Sequence, residues 1–308
     1  MTEALAPLPV GPVKRVAFLG TPEMAVPVLR ALVEQGFDVA HVITRVDKRR
    51  ARGNELHPSP IKAAAIELGI QVSHNVDDLL ALHQEDPIDL AVVVAYGALI
   101  KPHVLAQIPM VNLHVSLLPR WRGAAPIERA LLAGDVETGV CLMQIEAGLD
   151  TGGVIARCSM PITDSTTAND IRVRLIADGT DLLITQLKNG LDPVVPQTGE
   201  PTYAEKIDAS ELRIDWAKSA RDILRLVRLG GAWTEFRGKR LKIHDASIGE
   251  VPVGDPGSMV VGKSAVDVVA SDGSIRLLAV QPEGKPRMDV VAWINGARPI
   301  NGEKLTSE

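Results

Sequence analysis

Apolar positions along this chain fall first into short runs alternating with helical spacing. Past residue 209 they fall into closely spaced short runs separated by turns. Val16-Ala17-Phe18-Leu19 is apolar throughout and predicts a buried strand, and Phe37–Thr44 predicts a second. Between them, Thr21 can cap a helix with Pro22 at its first position and Gly36 at its close. Pro60–Leu68 is helical in spacing and stops at Gly69, and Asp77–Gln84 predicts another short helix. Leu90–Ala95 has no polar position, as a parallel strand covered on both faces requires. Val111–Ser116, Gly139–Ile145 and Val154–Ile162 predict further strands, and Ile127–Ala133 a helix. Thr166 or Thr167 can cap a long helix that runs to about Lys188 and stops at Asn189-Gly190. Strands alternating with helices place residues 13–190 in the α/β class, with a doubly wound, mostly parallel sheet.

Leu191–Ala209 carries three prolines and reads as a linker. From 210 to 308 the texture changes. One helix, Ala217–Leu229, precedes Leu241–His244, Ser258–Val261, Ala265–Ala270 and Ile275–Val280, short β-like runs with Gly/Asp/Pro turns between them. That spacing predicts a second, smaller β-barrel or sandwich. A chain of 308 residues is long for one core, so two domains are expected. Residues 1–12 lack a basic start and a long apolar stretch, and read as a disordered lead-in rather than a signal peptide. No run approaches the roughly 20 apolar residues of a membrane span, so a cytoplasmic, membrane-free protein is expected. Cys141 and Cys158 sit in apolar strand-like runs and read as buried free thiols; two cysteines make neither a disulfide framework nor a metal site.

The net charge of −5 argues against binding nucleic acid with the whole surface, but two stretches stand apart from it. Arg45–Gly53 holds five basic residues against one acidic, and Arg221–Lys242 holds seven against two with Trp233 and Phe236 interleaved. Each is either a solvated surface or a phosphate footprint, and two on one acidic chain point to a polyanion. The first predicted strand leads into Gly20-Thr21-Pro22-Glu23 rather than a G-x-G-x-x-G turn, and no nucleotide cofactor is expected. In an open sheet a ligand still sits at the carboxyl ends of the strands. Val93–Tyr96, Asn112–Pro119 and the Gly148-Leu149-Asp150-Thr151-Gly152 loop all fall there. Asn112 and His114, two residues apart on a strand, share one face. Each taken alone has a bland reading: a turn-forming amide, a core histidine, and at Asp150 a turn carboxylate. Together the three suit acyl transfer without a covalent enzyme intermediate. The amide donates to an oxyanion, the imidazole moves a proton and the carboxylate orients it. Trp121 and Arg122 read as packing and capping residues, and Trp216 as interdomain packing.

The run Asn112-Leu113-His114-Val115-Ser116-Leu117-Leu118-Pro119-Arg120-Trp121-Arg122-Gly123-Ala124-Ala125-Pro126-Ile127 resembles a motif of the folate-dependent formyltransferases. Phe18–Glu23, Pro58–Lys62, Val93–Gly97, Gly148–Gly152, Tyr203–Ile207, Ile214–Trp216, Gln281–Lys285 and Asn295–Pro299 extend the resemblance over nearly the whole chain. It implies transfer of a formyl group from 10-formyltetrahydrofolate to the α-amino group of methionyl initiator tRNA, with tetrahydrofolate leaving and no metal. It also implies a formyltransferase-type catalytic domain followed by a barrel similar to an OB fold; a monomer is expected. The catalytic set it implies is Asn112, His114 and Asp150. The implied folate site is Val94, Ala95, Tyr96 and Gly97 with Ser116, Leu117, Leu118 and Pro119. The implied tRNA contacts are Lys48, Arg49, Arg50 and Arg52 in the first basic stretch and Arg237, Lys239 and Arg240 in the second.

Two segments depart from the family pattern. Many relatives read Gln-Pro-Asp-Arg-Pro-Ala-Gly-Arg-Gly where this chain has Arg45–Gly53, so their tRNA-contacting arginine aligns with Lys48. The charge is kept and the bidentate fork is lost, unless Arg49 or Arg50 supplies it. A Phe-Asn-Pro-Trp-Pro-like stretch is replaced by Arg228–Trp233. The alternatives are a formyltransferase acting on a small amine (a sugar nucleotide or glycinamide ribotide), a folate-binding hydrolase, and an RNA-binding module with a degenerate α/β domain.

Overall fold

Residues 4–49, 56–251 and 254–306 are described by a computed structural model, with backbone alone for Lys48, Arg49 and Leu56. The chain divides into two compact units. The first takes in residues up to Ile127, Glu137–Pro161 and Ile171–Glu205; the second takes in Glu128–Val136, Ile162–Asp170 and the chain from Lys206.

Up to Glu205 the elements are β1 (Arg15–Gly20), α1 (Val26–Glu34), β2 (Asp38–Ile43), β3 (Lys48–Arg49), β4 (Leu56–His57), α2 (Pro60–Glu67), β5 (Val72–Ser73), α3 (Asp78–Glu85) and β6 (Leu90–Val94). They continue with α4 (Pro102–Leu105), β7 (Met110–His114), β8 (Arg122–Gly123), α5 (Pro126–Ala133), β9 (Glu137–Gln144), β10 (Val154–Pro161), α6 (Ala168–Asn189) and β11 (Tyr203–Ala204). Seven strands form one sheet in the order β10-β9-β7-β6-β1-β2-β5, and β9 alone runs against the others.

The apolar runs have no polar positions because both faces of this sheet are covered. Val16 and Phe18 of β1, with Leu90, Val92 and Val94 of β6, pack in one cluster with α1, α2 and α6. Ala17, Leu19, Ala91 and Val93 point the other way, into a cluster with Leu79 of α3 and Val104 and Leu105 of α4. Each fully buried Leu, Val or Phe contributes about 1.5–3 kcal/mol, which fixes the register between the two helical layers.

Three local expectations need correction. Thr21 does not cap a helix: a 3₁₀ turn over Glu23–Ala25 precedes α1, and the Thr21 hydroxyl donates to Tyr96 O at 2.9 Å. The lead-in is ordered in its described part. Ala6 is buried and donates its N–H to Leu105 O at 2.8 Å, while Leu5 and Leu8 pack against the two apolar clusters. These three side chains give the segment enough apolar area to dock. The stretch 191–209 is not a free linker. Val195 pairs with Val154, and Tyr203–Ala204 pair in parallel with Arg122–Gly123.

In the second unit, α7 (Ala220–Leu229) starts at Ser219, whose hydroxyl accepts the Asp222 N–H. After it come β12 (Trp233–Phe236), β13 (Lys239–Ile248), β14 (Met259–Val261), β15 (Val266–Val269), β16 (Ser274–Pro282), β17 (Met288–Asp289) and α8 (Val290–Ala297). The strands form a curled antiparallel sheet, β12-β13-β16-β15-β14, with β17 on β16. Residues 302–306 bridge its edges: Thr306 pairs with Glu235 of β12, and Lys304 pairs with Ser258 just before β14. Trp293 and Trp216 are both buried in this unit's own core, so Trp216 serves that core, with its indole N–H on Thr234 Oγ1 at 3.0 Å.

Gly257–Ser264 fits the spacing G-x-x-x-x-G-K-S, which bears on the expectation of no nucleotide cofactor. Here Met259–Val261 is a strand, and a turn closed by Gly262 N–H on Ala265 O leads into β15. A phosphate cradle needs the loop to open a helix, and this one opens a strand. Among the described residues no helix is long and apolar enough to cross a membrane.

Candidate active site

Strand β7 carries Asn112 and His114 to the carboxyl edge of the first unit's sheet. Its register sets Asn112 opposite Val93 of β6 and Met143 of β9, with His114 opposite Cys141. The alternation puts both polar side chains on the same face, where they line a cleft of about 680 Å³. Val94, Ala95, Tyr96 and Gly97 line the same cleft, as do Leu99, Ile100, Ile145 and the loop Glu146–Asp150. The chain turns sharply at Ala95 (φ +48°) and Gly97 (φ +74°), held by Thr21 on Tyr96 O and by Arg45 Nη1 on Gly97 O at 3.1 Å. Burial pushes the Tyr96 phenol up, so it stays protonated at neutral pH.

His114 is buried and has a defined tautomer. Its Nε2 lies 2.9 Å from Trp121 O, and a carbonyl only accepts, so Nε2 carries a hydrogen. Trp121 presents that carbonyl from a left-handed conformation, φ +63°. Its N–H is tied to Thr202 Oγ1 at 2.9 Å. The other ring nitrogen, Nδ1, lies 3.6 Å from Asp150 Oδ2. That is beyond a hydrogen bond, and Oδ2 instead accepts the Gly123 N–H at 2.8 Å. Among the described residues Asp150 Oδ1 accepts no hydrogen bond, and neither does the Asn112 amide make one. Both therefore remain available to a molecule in the cleft.

Asp150 itself has φ +51°. Gln197 Nε2 donates to Asp150 O at 2.9 Å and to Gly152 O at 2.7 Å. Arg122 Nε and Nη2 donate to Gln197 Oε1 at 3.1 and 2.7 Å. Gly152 and Gly123 are required where they stand. A Cβ on Gly152 would lie 1.9 Å from Gln144 O, and one on Gly123, at φ +117°, 2.9 Å from Ala204 O. Gln197 lies in the stretch read as a linker, and nothing in its local sequence marks it; only its contacts do.

The segment Ser116–Pro119 does not line the cleft. Ser116 is fully buried with its hydroxyl donating to Arg120 O at 2.6 Å, and Leu118 packs on Cys141, Met143 and Val154. Beyond the end of β7 the chain passes through the cis Leu118–Pro119 peptide, and Leu118 rests on residues of β9 and β10. Burial pushes the Cys141 thiol up to about 11, matching a buried free cysteine, while Cys158 is half-buried.

Of the basic candidates, Lys48 and Arg49 form the short strand β3 opposite β4, and Arg50 and Arg52 lie outside the described residues. Arg237 is committed to its own unit. It donates to Glu303 through Nε and Nη2 and to the carbonyls of Ala297 and Arg298 at the end of α8, so it serves as a helix-end clamp rather than an open contact. Arg240 stays exposed and stacks on Trp233 at 4.1 Å, opposite Arg213 at 4.9 Å; Lys239 is exposed beside it.

Residues 14–187 match the family described as formyl transferase, and residues 206–298 match its C-terminal domain. The chain belongs to the formyl transferase family. A methionyl-tRNA formyltransferase of Symbiobacterium thermophilum is 40% identical over 300 residues, covering 92% of each chain. One of Ruegeria pomeroyi is 41% identical over 304 residues, covering 94% of this chain and all of the relative. In fold, this formyl transferase is similar to an N-formyltransferase of Helicobacter canadensis solved with folinic acid and dTDP-3-aminofucose. The TM-score is 0.64 at 18% identity, over 87% of this chain and 99% of that one.

Proposed function

We propose that this protein transfers the formyl group of 10-formyltetrahydrofolate to the α-amino group of methionyl initiator tRNA. The observation that carries this reading is the gathering of Asn112, His114 and Asp150 on one cleft, with open hydrogen-bonding capacity on the first and last. A cleft of about 680 Å³ falls within the roughly 300–1,000 Å³ of small-molecule sites. Its apolar walls and the main chain of Val94–Gly97 suit a flat heterocycle and its linker.

The amine attacks the formyl carbon, an N–C bond forms, and charge builds on the formyl oxygen. The Asn112 amide donates to that oxygen, and so does His114 through Nδ1–H when both ring nitrogens carry hydrogen, its Nε2–H staying on Trp121 O. The attacking nitrogen loses a proton to Asp150 Oδ1, His114 Nδ1 gives one to the folate nitrogen as its bond to carbon breaks, and the proton on Asp150 then passes to Nδ1, which restores the pair. One proton leaves the amine and one reaches the leaving nitrogen, so the transfer is balanced. The Lys48–Arg52 stretch and the exposed Lys239 and Arg240 supply phosphate contacts.

The relatives that share 40–41% identity over more than nine tenths of this chain carry the tRNA-directed name, whereas the sugar-directed neighbour shares fold at 18%. Radiolabelled formyl transfer tests the proposal, with methionyl initiator tRNA, methionyl elongator tRNA and a dTDP-amino sugar as competing acceptors. Initiator tRNA is expected to be labelled far faster than either. Preference for the sugar, or release of formate to water alone, overturns it.

A further inference from the structure

Asp150 stands in a conformation that costs a non-glycine residue about 1–2 kcal/mol, on a loop whose carboxylate must meet His114. We infer that Gln197, oriented by Arg122, is a positioning residue that sets Asp150 against His114. This rests on Asp150 taking part in the reaction proposed above.

The amide of Gln197 can face only one way. Two guanidinium N–H groups converge on one atom, which must be the oxygen, so both hydrogens of Nε2 are directed at the carbonyls of Asp150 and Gly152. The brace therefore grips the backbone of the loop on both sides of Thr151. The same stretch of chain fixes the other partner. Thr202 accepts the N–H groups of Trp121 and Arg122, and Trp121 O holds His114 Nε2. Arg122 is followed at once by Gly123, whose N–H holds Asp150 Oδ2. Residues 197–204 thus tie both halves of the His114–Asp150 pair to one support. Gln197 does not line the cleft, so it acts on the reaction through Asp150 and not on the substrates.

Gln197→Glu keeps the shape and the bond to Arg122 but sets a carboxylate oxygen against two carbonyl oxygens; Gln197→Ala removes the brace. Both are expected to lower single-turnover formyl transfer about 10- to 100-fold, as a displacement near 1 Å does, with Gln197→Glu the more severe. KM for methionyl-tRNA and for 10-formyltetrahydrofolate should stay within about twofold. In an Asp150→Asn background the same substitutions should add less than about threefold, because the group they position is already gone.

A loss confined to KM, a full additional loss on top of Asp150→Asn, or a loss that tracks the folded fraction measured by circular dichroism overturns the brace. So do normal rates in both Gln197 variants where Asp150→Asn is inactive. If Asp150→Asn itself retains normal turnover, the catalytic reading of Asp150 fails instead, and the two failures are told apart by that one variant.

Discussion

Asn112 offers the cleanest separation of chemistry from stability. Its side chain is half-buried on the cleft wall and makes no hydrogen bond among the described residues, so Asn112→Ala breaks none of the protein's own hydrogen bonds there. Surface substitutions of that kind change stability by no more than about 0.5 kcal/mol. In the proposed reaction its amide donates to the formyl oxygen as charge gathers there, and loss of one such donor costs about 10²–10³ in kcat. At about 1.36 kcal/mol per decade, that is roughly 2.7–4 kcal/mol of transition-state stabilisation. Asn112→Asp is near-isosteric but replaces the donor with a second anion facing the oxyanion, so it should be slower still. The assay is steady-state formyl transfer with saturating folate and varied methionyl-tRNA, beside thermal melts of each variant. The expected pattern is a melting temperature within about 2 °C of the parent, little change in KM, and kcat falling in the order Asn112, Ala, Asp. An Ala variant within threefold of the parent kcat, or an Asp variant faster than the Ala variant, would refute the oxyanion role.

His114→Ala should reduce turnover below detection in the same assay while the far-ultraviolet spectrum is kept; residual kcat above about a tenth of the parent argues against it. Neutralising Lys48, Arg49, Arg50 and Arg52 together should raise KM for tRNA and leave folate binding alone. The log–log salt slope for tRNA should flatten by up to about 0.9 for each phosphate that is no longer neutralised. In the second unit, Lys239→Ala and Arg240→Ala should act the same way. Arg237→Ala should chiefly lower the melting temperature, because its partners are Glu303 and the end of α8. Burial holds the His41 imidazole below its ordinary 6.5, so the unfolded chain binds its proton first. Stability is then fully present above about pH 6.5 and falls as pH drops toward the folded value, and His41→Gln should flatten a melting profile over that range. Cys141, buried and pushed up to about 11, is almost wholly thiol at pH 8, so iodoacetamide should label it only in denaturant.

The first unit's fold was legible because its strands are buried on both faces. β1 and β6 are continuous apolar runs that no surface strand tolerates, and Ser59 and Thr167 sit one residue before helices α2 and α6, with their hydroxyls on the Lys62 and Asp170 N–H groups. What local pattern could not show was held by distant partners. Helix α8 opens with Val290-Val291-Ala292-Trp293-Ile294, whose β-branched and aromatic residues give little helical signal. Asp289 caps it by accepting the Ala292 N–H, and Trp293 is buried in the core of the second unit. The curled sheet closes through residues 302–306, whose pairing partners lie some 45 to 70 residues earlier in the chain.

The site divides in the same way. Asn112 and His114 share one strand and a period of two, so their common face is a local property and could be read directly. Asp150 could be read only as a glycine-flanked loop at a strand end, because what brings it to His114 is the Gly123 N–H and the carbonyls that Gln197 holds. Residues 116–119 show the opposite error. Their motif marks the segment as special, but the motif's side chains serve the turn itself. Ser116 ties to Arg120 O, and the peptide from Arg120 to Gly123 then delivers a carbonyl to His114 and an N–H to Asp150. A motif can thus signal that the backbone following it is positioned, while the side chains it spells out turn away from the cleft. Gln197, in a stretch with no motif at all, holds the Asp150 backbone directly, while the hydroxyl of Ser116 at the motif's centre is spent on Arg120 O.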